Sequence, residues 1–221
     1  MVSTHGSNEK SHHMSVVAAA GKLFDFLAAQ DTTFTQHLQP GLSRTDIHAL
    51  VDPLGIVLPE EALQFYEHYS LPKGYQYIPK HPNGMGQPTF YGIYWMLGLE
   101  NAVEDYKKWV TMEEYEEYEG SRGWLPFLQE DSYYYLLDTA FGSQSLCPVI
   151  SLPEAFDPEL EFVSMTAMFE TLYDWANEGV LAVEEGHIAG NYSGDRVKVG
   201  QIAVRHNPGI ARWERMAAGT R

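Results

Sequence analysis

The chain has a single cysteine, Cys147, among its 221 residues. One cysteine cannot form an internal disulfide and excludes a zinc site built from several cysteines, so the composition fits a reducing compartment. The apolar run at residues 16–21 is interrupted by Lys22 and Asp25. This interruption comes too early for an export signal or for a membrane span of ~20 residues. We therefore expect a cytoplasmic protein that does not enter a membrane.

Basic side chains are also scarce. The 14 lysines and arginines face 30 aspartates and glutamates, which gives a formal net charge of −16. No basic residue lies between Arg122 and Arg196, and the sign reverses only in the tail after Asp195. An excess of negative charge repels nucleic-acid phosphates and attracts basic protein surfaces. The composition predicts a basic protein partner and no nucleic acid.

Several motifs of enzymes are missing as well. The sequence has no Gly-x-Ser-x-Gly nucleophile elbow, no His-Glu-x-x-His metal motif and no P-loop. Residues 84–89 come nearest to a dinucleotide-binding turn, but they lack its final glycine and precede a predicted strand instead of a helix. Cys147 lies in an apolar segment, where a cysteine more often packs than reacts. We predict a protein that is not an enzyme and needs no cofactor or metal.

Carboxylates near the tyrosine-rich segment leave one enzymatic alternative open. Glu130, Asp131 and Asp138 could supply the acid and base of a glycosidase-like site. In the alternative interpretation, Glu130 and Asp131 belong to a hairpin turn and Asp138 ends a strand by bonding nearby amides. The second interpretation is favoured, because the sequence does not show the carboxylate spacing that a glycosidase requires.

The chain divides into three parts. Residues 1–13 are polar and show no apolar period, so we expect a disordered leader whose histidines are solvated. Residues 14–190 are predicted to form one domain, and residues 191–221 a basic extension that packs on the domain or follows it. From Met14 onward, apolar residues recur with helical spacing and predict a first amphipathic helix.

Local signals predict four more helices in the domain. Ser43 resembles the cap of a short helix. Pro59 suits the first turn of the next helix, and the two glutamates after it suit the positive end of its dipole. A strongly acidic helix is predicted at residues 100–119. Ser164 is expected to cap a closing helix that Gly179 ends.

Aromatic and β-branched segments predict the strands. They lie at residues 89–96, at the Trp-Leu-Pro-Phe segment 124–127, at 133–138 and at 146–152. A turn is expected at residues 129–132. Both faces of the tyrosine strand 133–138 are bulky, so we predict that this strand is central in its sheet.

The tail supplies one further predicted strand before a final helix at residues 210–216. This strand rests on a series of β-branched residues, Val197, Val199, Ile202 and Val204. Helices, antiparallel strands and a closing helix, in that order, predict an α+β fold with an antiparallel-rich central sheet packed by amphipathic helices.

The order of these motifs resembles the SUKH superfamily, which includes the fungal Smi/Knr cell-wall assembly regulators and many bacterial immunity proteins. The similarity covers roughly residues 45 to 180. It rests on Leu-Pro-Glu-Glu at 58–61, Trp-Leu-Pro-Phe at 124–127, Leu-Asp at 137–138, Val-Ile at 149–150 and the helix from Ser164 to Leu172. Two turns and the length of segment 98–121 depart from the family pattern.

This resemblance implies a non-catalytic α+β domain that, in bacteria, often neutralises a polymorphic toxin by binding it. Many such toxins are nucleases with basic clefts, which the acidic charge of this chain would complement. From charge alone, we predict a partner-binding surface at two acidic clusters. They are Glu113, Glu114, Glu116 and Glu117, and Glu154, Asp157, Glu159 and Glu161. A regulatory scaffold like the fungal members and a carbohydrate-active enzyme are the alternatives.

Overall fold

The computed structural model describes most of the predicted domain and nearly all of the tail. The described residues are 14–30, 34–71, 90, 94–111, 121–130, 133–140, 145–152, 157–184, 187–188 and 195–220. The predicted leader, residues 1–13, and the predicted turn residues 131 and 132 lie outside them. Within the described part, the fold is α+β, as predicted.

Seven α-helices are present in the described residues. They are α1 (Val16–Ala29), α2 (Arg44–Val51), α3 (Glu60–His68), α4 (Leu99–Trp109), α5 (Met165–Asn177), α6 (Arg196–His206) and α7 (Ala211–Ala217). The predicted caps of α2 and α5 are confirmed. Ser43 Oγ accepts a hydrogen bond from Asp46 N, and Ser164 Oγ accepts one from Ala167 N. Gly179 follows α5 with a φ of 69°, the left-handed conformation that suits glycine.

A five-stranded antiparallel sheet forms the centre of the fold. Its strands, in spatial order, are β3 (Trp95–Met96), β4 (Trp124–Glu130), β5 (Tyr133–Asp138), β6 (Val149–Leu152) and β7 (Glu159–Phe162). The tyrosine strand β5 is central, as predicted. Two small two-stranded sheets pair β1 (Gln39–Pro40) with β2 (Tyr69–Ser70) and β8 (Val183–Glu184) with β9 (His187–Ile188).

Two details of the predicted sheet were wrong. Gln129 and Glu130, predicted to lie in the turn, belong to β4 and pair with Tyr134 and Tyr133. Strand β7 is absent from the strands that the sequence predicts. Its four residues include two glutamates and follow a proline, a composition that conceals a short edge strand.

The two faces of the sheet alternate with the strand residues. On one face, Leu125, Leu137 and Val149 join the main core together with buried residues of α1, α3 and α5. On the other, Leu136 and Ile150 belong to a smaller cluster that includes Trp109 of α4. Alternating side chains of β5 therefore serve both clusters, which explains why both of its faces are bulky.

The predicted tail strand was also wrong, because these residues form α6. Asp195 Oδ1 accepts a hydrogen bond from Lys198 N and caps the helix. Val199, Ile202 and Ala203 are fully buried, and their spacing is helical. The β-branched residues favoured a strand locally, but burial against α5 and a good N-cap outweigh that preference. The tail helices are part of the main hydrophobic core.

A close approach between α6 and α7 depends on Gly200. A Cβ at this position would lie 2.3 Å from Ala217 N and 2.6 Å from the carbonyl carbon of Met216. In an exposed helix, replacing glycine with alanine stabilises by about 1 kcal/mol. Here we expect Gly200→Ala to destabilise by about 1–3 kcal/mol, because the two helices would have to separate.

Urea denaturation of Gly200→Ala measures this effect, with Gln201→Ala as the matched control. Gln201 is the next residue of α6 and is exposed. Its replacement should change the free energy of unfolding by less than about 0.5 kcal/mol. A Gly200→Ala variant as stable as the native protein would show that α6 and α7 do not pack this closely.

Candidate functional site

The structure describes three of the eight residues predicted to bind a partner. Asp157 and Glu159 are exposed, whereas Glu161 is only 1% exposed. Glu113, Glu114, Glu116, Glu117 and Glu154 lie outside the described residues. Within the described residues, the accessible part of the candidate site is therefore Asp157 and Glu159, the first residue of β7, whereas Glu161 is buried.

Glu161 is buried because it attaches helix α7 to the sheet. Its carboxylate accepts hydrogen bonds from the Arg212 guanidinium and, at 3.3 Å, from Ser151 Oγ. Its backbone carbonyl accepts a 2.7 Å hydrogen bond from Trp213 Nε1. A carboxylate that is buried and paired in this way supports the fold and is not presented to a partner.

Burial also changes the acidity of Glu161. Loss of solvent raises its pKa from 4.5 to about 7, and the nearby negative charge of Glu159 acts in the same direction. Arg212 and Ser151 oppose this rise but do not cancel it. The carboxyl group of Glu161 therefore titrates near neutral pH.

Basic side chains near the N-terminal helices are held by carboxylates of the same chain. Arg44 on α2 donates to Glu60 at 2.8 Å and to Glu67 at 2.9 Å, and both acceptors lie on α3. Lys108 on α4 lies 2.6 Å from Asp105. These cations are thus paired with carboxylates of the same protein.

The basic tail likewise folds back onto the acidic body. Helix α5 carries an acidic stripe, Glu170, Asp174 and Glu178, that faces α6. Arg205 Nη1 lies 2.7 Å from Glu178 Oε1, and His206 Nε2 lies 2.8 Å from Asp174 Oδ2. The tail therefore compensates charge on α5, through Arg205 and His206, and at Glu161 of β7, through Arg212.

The whole chain retains a large acidic surplus after this pairing. With 30 acidic and 14 basic residues, 30 − 14 = 16 carboxylates have no lysine or arginine counterpart in the sequence. A net negative charge of this size gives the protein an overall negative electrostatic potential.

The carboxylates of the enzymatic alternative are only partly described. Asp138 is 9% exposed, and its Oδ1 accepts a hydrogen bond from Ala140 N. This is the strand-end bond that the non-catalytic interpretation predicted. Burial raises the pKa of Asp138. Asp131 and the side chain of Glu130 lie outside the described part of the chain.

The one cysteine is buried, as predicted. Cys147 is fully inaccessible, and burial raises the pKa of its thiol well above the usual value. The negative charges of Glu61 and Asp138 act in the same direction. A thiol with a raised pKa is rarely the reactive thiolate, so Cys147 is a poor nucleophile.

Glu61 accepts several hydrogen bonds from other parts of the described chain, and the sequence did not indicate that it joins separate elements. It is 5% exposed and accepts hydrogen bonds from Cys147 N at 2.7 Å, Met165 N at 3.2 Å and Thr166 N at 2.8 Å. The Thr166 hydroxyl donates to the same carboxylate. Glu61 lies in the first turn of its own helix, α3, as predicted, and its carboxylate also caps α5. Sequence spacing carries no signal for such a contact between distant segments.

The described residues contain no group of three or more histidine, cysteine, aspartate or glutamate side chains that could hold a metal ion. Among the described helices, none combines the length and apolar character needed to span a membrane.

No protein-family model matches the chain, and no curated protein does. The resemblance to the SUKH superfamily thus remains a prediction from the ordered motifs.

Proposed function

We propose that this protein is a non-catalytic binding module that neutralises a basic protein, most specifically an immunity protein for a toxin domain with a basic surface. The observation that carries this proposal is the surplus of 16 acidic side chains, 30 − 14. Basic residues of several helices are paired with carboxylates of the same chain, and the surplus is the charge that remains after every lysine and arginine has been counted.

Charge of one sign favours such an inhibitor in two ways. It accelerates the encounter with an oppositely charged partner, and it suits a cleft that the partner uses to bind phosphate. The α+β domain provides a rigid base, since its sheet is packed on both faces. Binding alone would then block the partner, without any chemical step.

The test is coexpression of this protein with a basic toxin candidate encoded beside its gene. We expect growth inhibition by the toxin to be relieved, and the purified proteins to associate with an affinity that falls steeply between about 50 mM and about 500 mM salt. Because binding alone should block the toxin, the degree of inhibition should match the fraction of toxin that is bound.

A catalytically inactive toxin variant serves as the control, since it should bind equally well. Toxicity that persists together with the absence of binding at low salt would contradict the proposal. Weak binding to several cell-wall proteins, with no protection from the toxin, would favour the regulatory scaffold instead.

A further inference from the structure

Strand β7 forms one edge of the described sheet, and the direction of its backbone groups follows from the neighbouring strands. Asp138 N donates to Pro148 O at 2.9 Å, two positions from the pair Leu136 and Ile150. Residue pairs in antiparallel sheets alternate between bonded and non-bonded, so the backbone groups of Ile150 also face β5. Those of Ser151, one position further along, therefore face β7.

The same alternation assigns the outer edge. Ser151 pairs with Glu159, so the N–H and C=O of Glu159 face β6. The N–H and C=O of Leu160 consequently face away from the sheet. The Leu160 side chain is 45% exposed.

Most of this edge is already occupied. Glu161 O accepts from Trp213 Nε1, and Val163 N donates to Asn207 Oδ1 at 3.1 Å. Pro158 has no N–H to offer. Within the described residues, no side chain or loop is bonded to the outward groups of Leu160. The tail helices and the proline thus limit the open edge to one residue.

The surroundings of this residue define the chemistry of an occupant. The exposed carboxylates of Asp157 and Glu159 flank the Leu160 edge on its N-terminal side. A second copy of the chain would bring a surface of the same negative sign to this edge, an arrangement that like-charge repulsion disfavours. A segment that carries lysine or arginine beside an apolar residue has the complementary charge.

We propose that Leu160 is the docking point for an extended basic segment of the partner protein. One residue of that segment pairs its N–H and C=O with those of Leu160, its apolar side chain packs on the Leu160 side chain, and neighbouring cations contact Asp157 and Glu159. Backbone pairing is limited to this one residue, because Pro158 has no N–H and Trp213 already bonds the carbonyl of Glu161. The proposal rests on the proposed function, of which it specifies the contact surface.

The probe is a synthetic, acetylated peptide of alternating lysine and valine, added to the full chain at low salt. We expect the amide signal of Leu160 to shift and its hydrogen exchange to slow. Asp157→Asn combined with Glu159→Gln should weaken peptide binding by about fivefold or more. The matched control, Asp25→Asn with Glu214→Gln, removes the same charge from exposed positions elsewhere and should weaken it by less than about twofold.

Leu160→Pro separates pairing from charge. Because the Leu160 N–H faces outward, a proline there removes no bond of the sheet, and the variant should fold while losing the peptide. Leu160→Ala keeps the N–H and should lose less affinity. If Leu160→Pro fails to fold, a peptide whose valines are N-methylated tests the same bond on the native protein, and we expect it not to bind.

Each contrary result has a distinct meaning. Two results would overturn the docking at Leu160 without affecting the proposed function. One is an equal loss of peptide affinity in both charge variants, and the other is full binding of the N-methylated peptide. Self-association of the free protein that Leu160→Pro abolishes would assign the edge to a second copy and overturn the proposal. Failure to bind or neutralise the toxin candidate, measured separately, would instead remove the proposed function.

Discussion

Replacement of Glu61 by alanine is expected to destabilise the protein by about 3–5 kcal/mol, enough to unfold many domains of this size. The substitution would leave the N–H groups of Cys147, Met165 and Thr166 buried without an acceptor. Each unsatisfied buried group costs about 1–3 kcal/mol. Helix α5 would also lose the negative charge that stabilises its positive N-terminal end.

Glu60→Ala is the matched control for Glu61→Ala. Glu60 lies in the same first turn of α3, but its side chain is 45% exposed and paired with Arg44 at the surface. Its replacement should cost less than about 1 kcal/mol, as is usual for exposed ion pairs. Urea denaturation of both variants, followed by circular dichroism, gives the comparison. Similar stabilities of the two variants would show that Glu61 does not join α3 to α5.

Glu61 also illustrates which features the sequence could predict. Caps such as Ser43 and Ser164 were correct because they depend on residues three positions apart, and the chain displays that spacing directly. The acceptor role of Glu61 depends on Thr166, which lies 105 residues later. Only the folded arrangement of α3 and α5 brings the two together.

The errors in β7 and α6 have related causes. Four residues that include Glu159 and Glu161 carry too little apolar pattern to indicate a strand, and the strand exists because β6 offers a partner. In α6, the β-branched residues favour a strand locally, but burial against α5 stabilises a helix. The same limit applies to the candidate site. The acidic residues Asp157 and Glu159 are visible in the sequence, but the exposed strand edge at Leu160 is not.

The stability of the protein should also depend on pH through Glu161. Its pKa is about 7 in the folded protein and 4.5 ordinarily, so between these values the folded state retains a proton that the unfolded state has lost. The contribution of Glu161 is therefore fully present below about pH 4.5 and is lost as pH rises to about 7, a change on the order of 3 kcal/mol. Glu161→Gln removes this dependence and should gain stability relative to the native protein as pH rises.

Arg212→Met should have the opposite effect, because it removes the cation that lowers the pKa of Glu161. Above neutral pH the variant must bury an unpaired carboxylate, which typically costs about 3–5 kcal/mol, whereas below about pH 5 the carboxyl group is protonated and the cost shrinks to lost packing. Urea denaturation at about pH 5 and about pH 8 measures both variants against the native protein, so that the titration of other carboxylates cancels. Combining the two substitutions should restore most of the stability lost at high pH. An Arg212→Met variant equally destabilised at both pH values would contradict the coupling, and α7 would then be held to β7 by Trp213 and apolar packing alone.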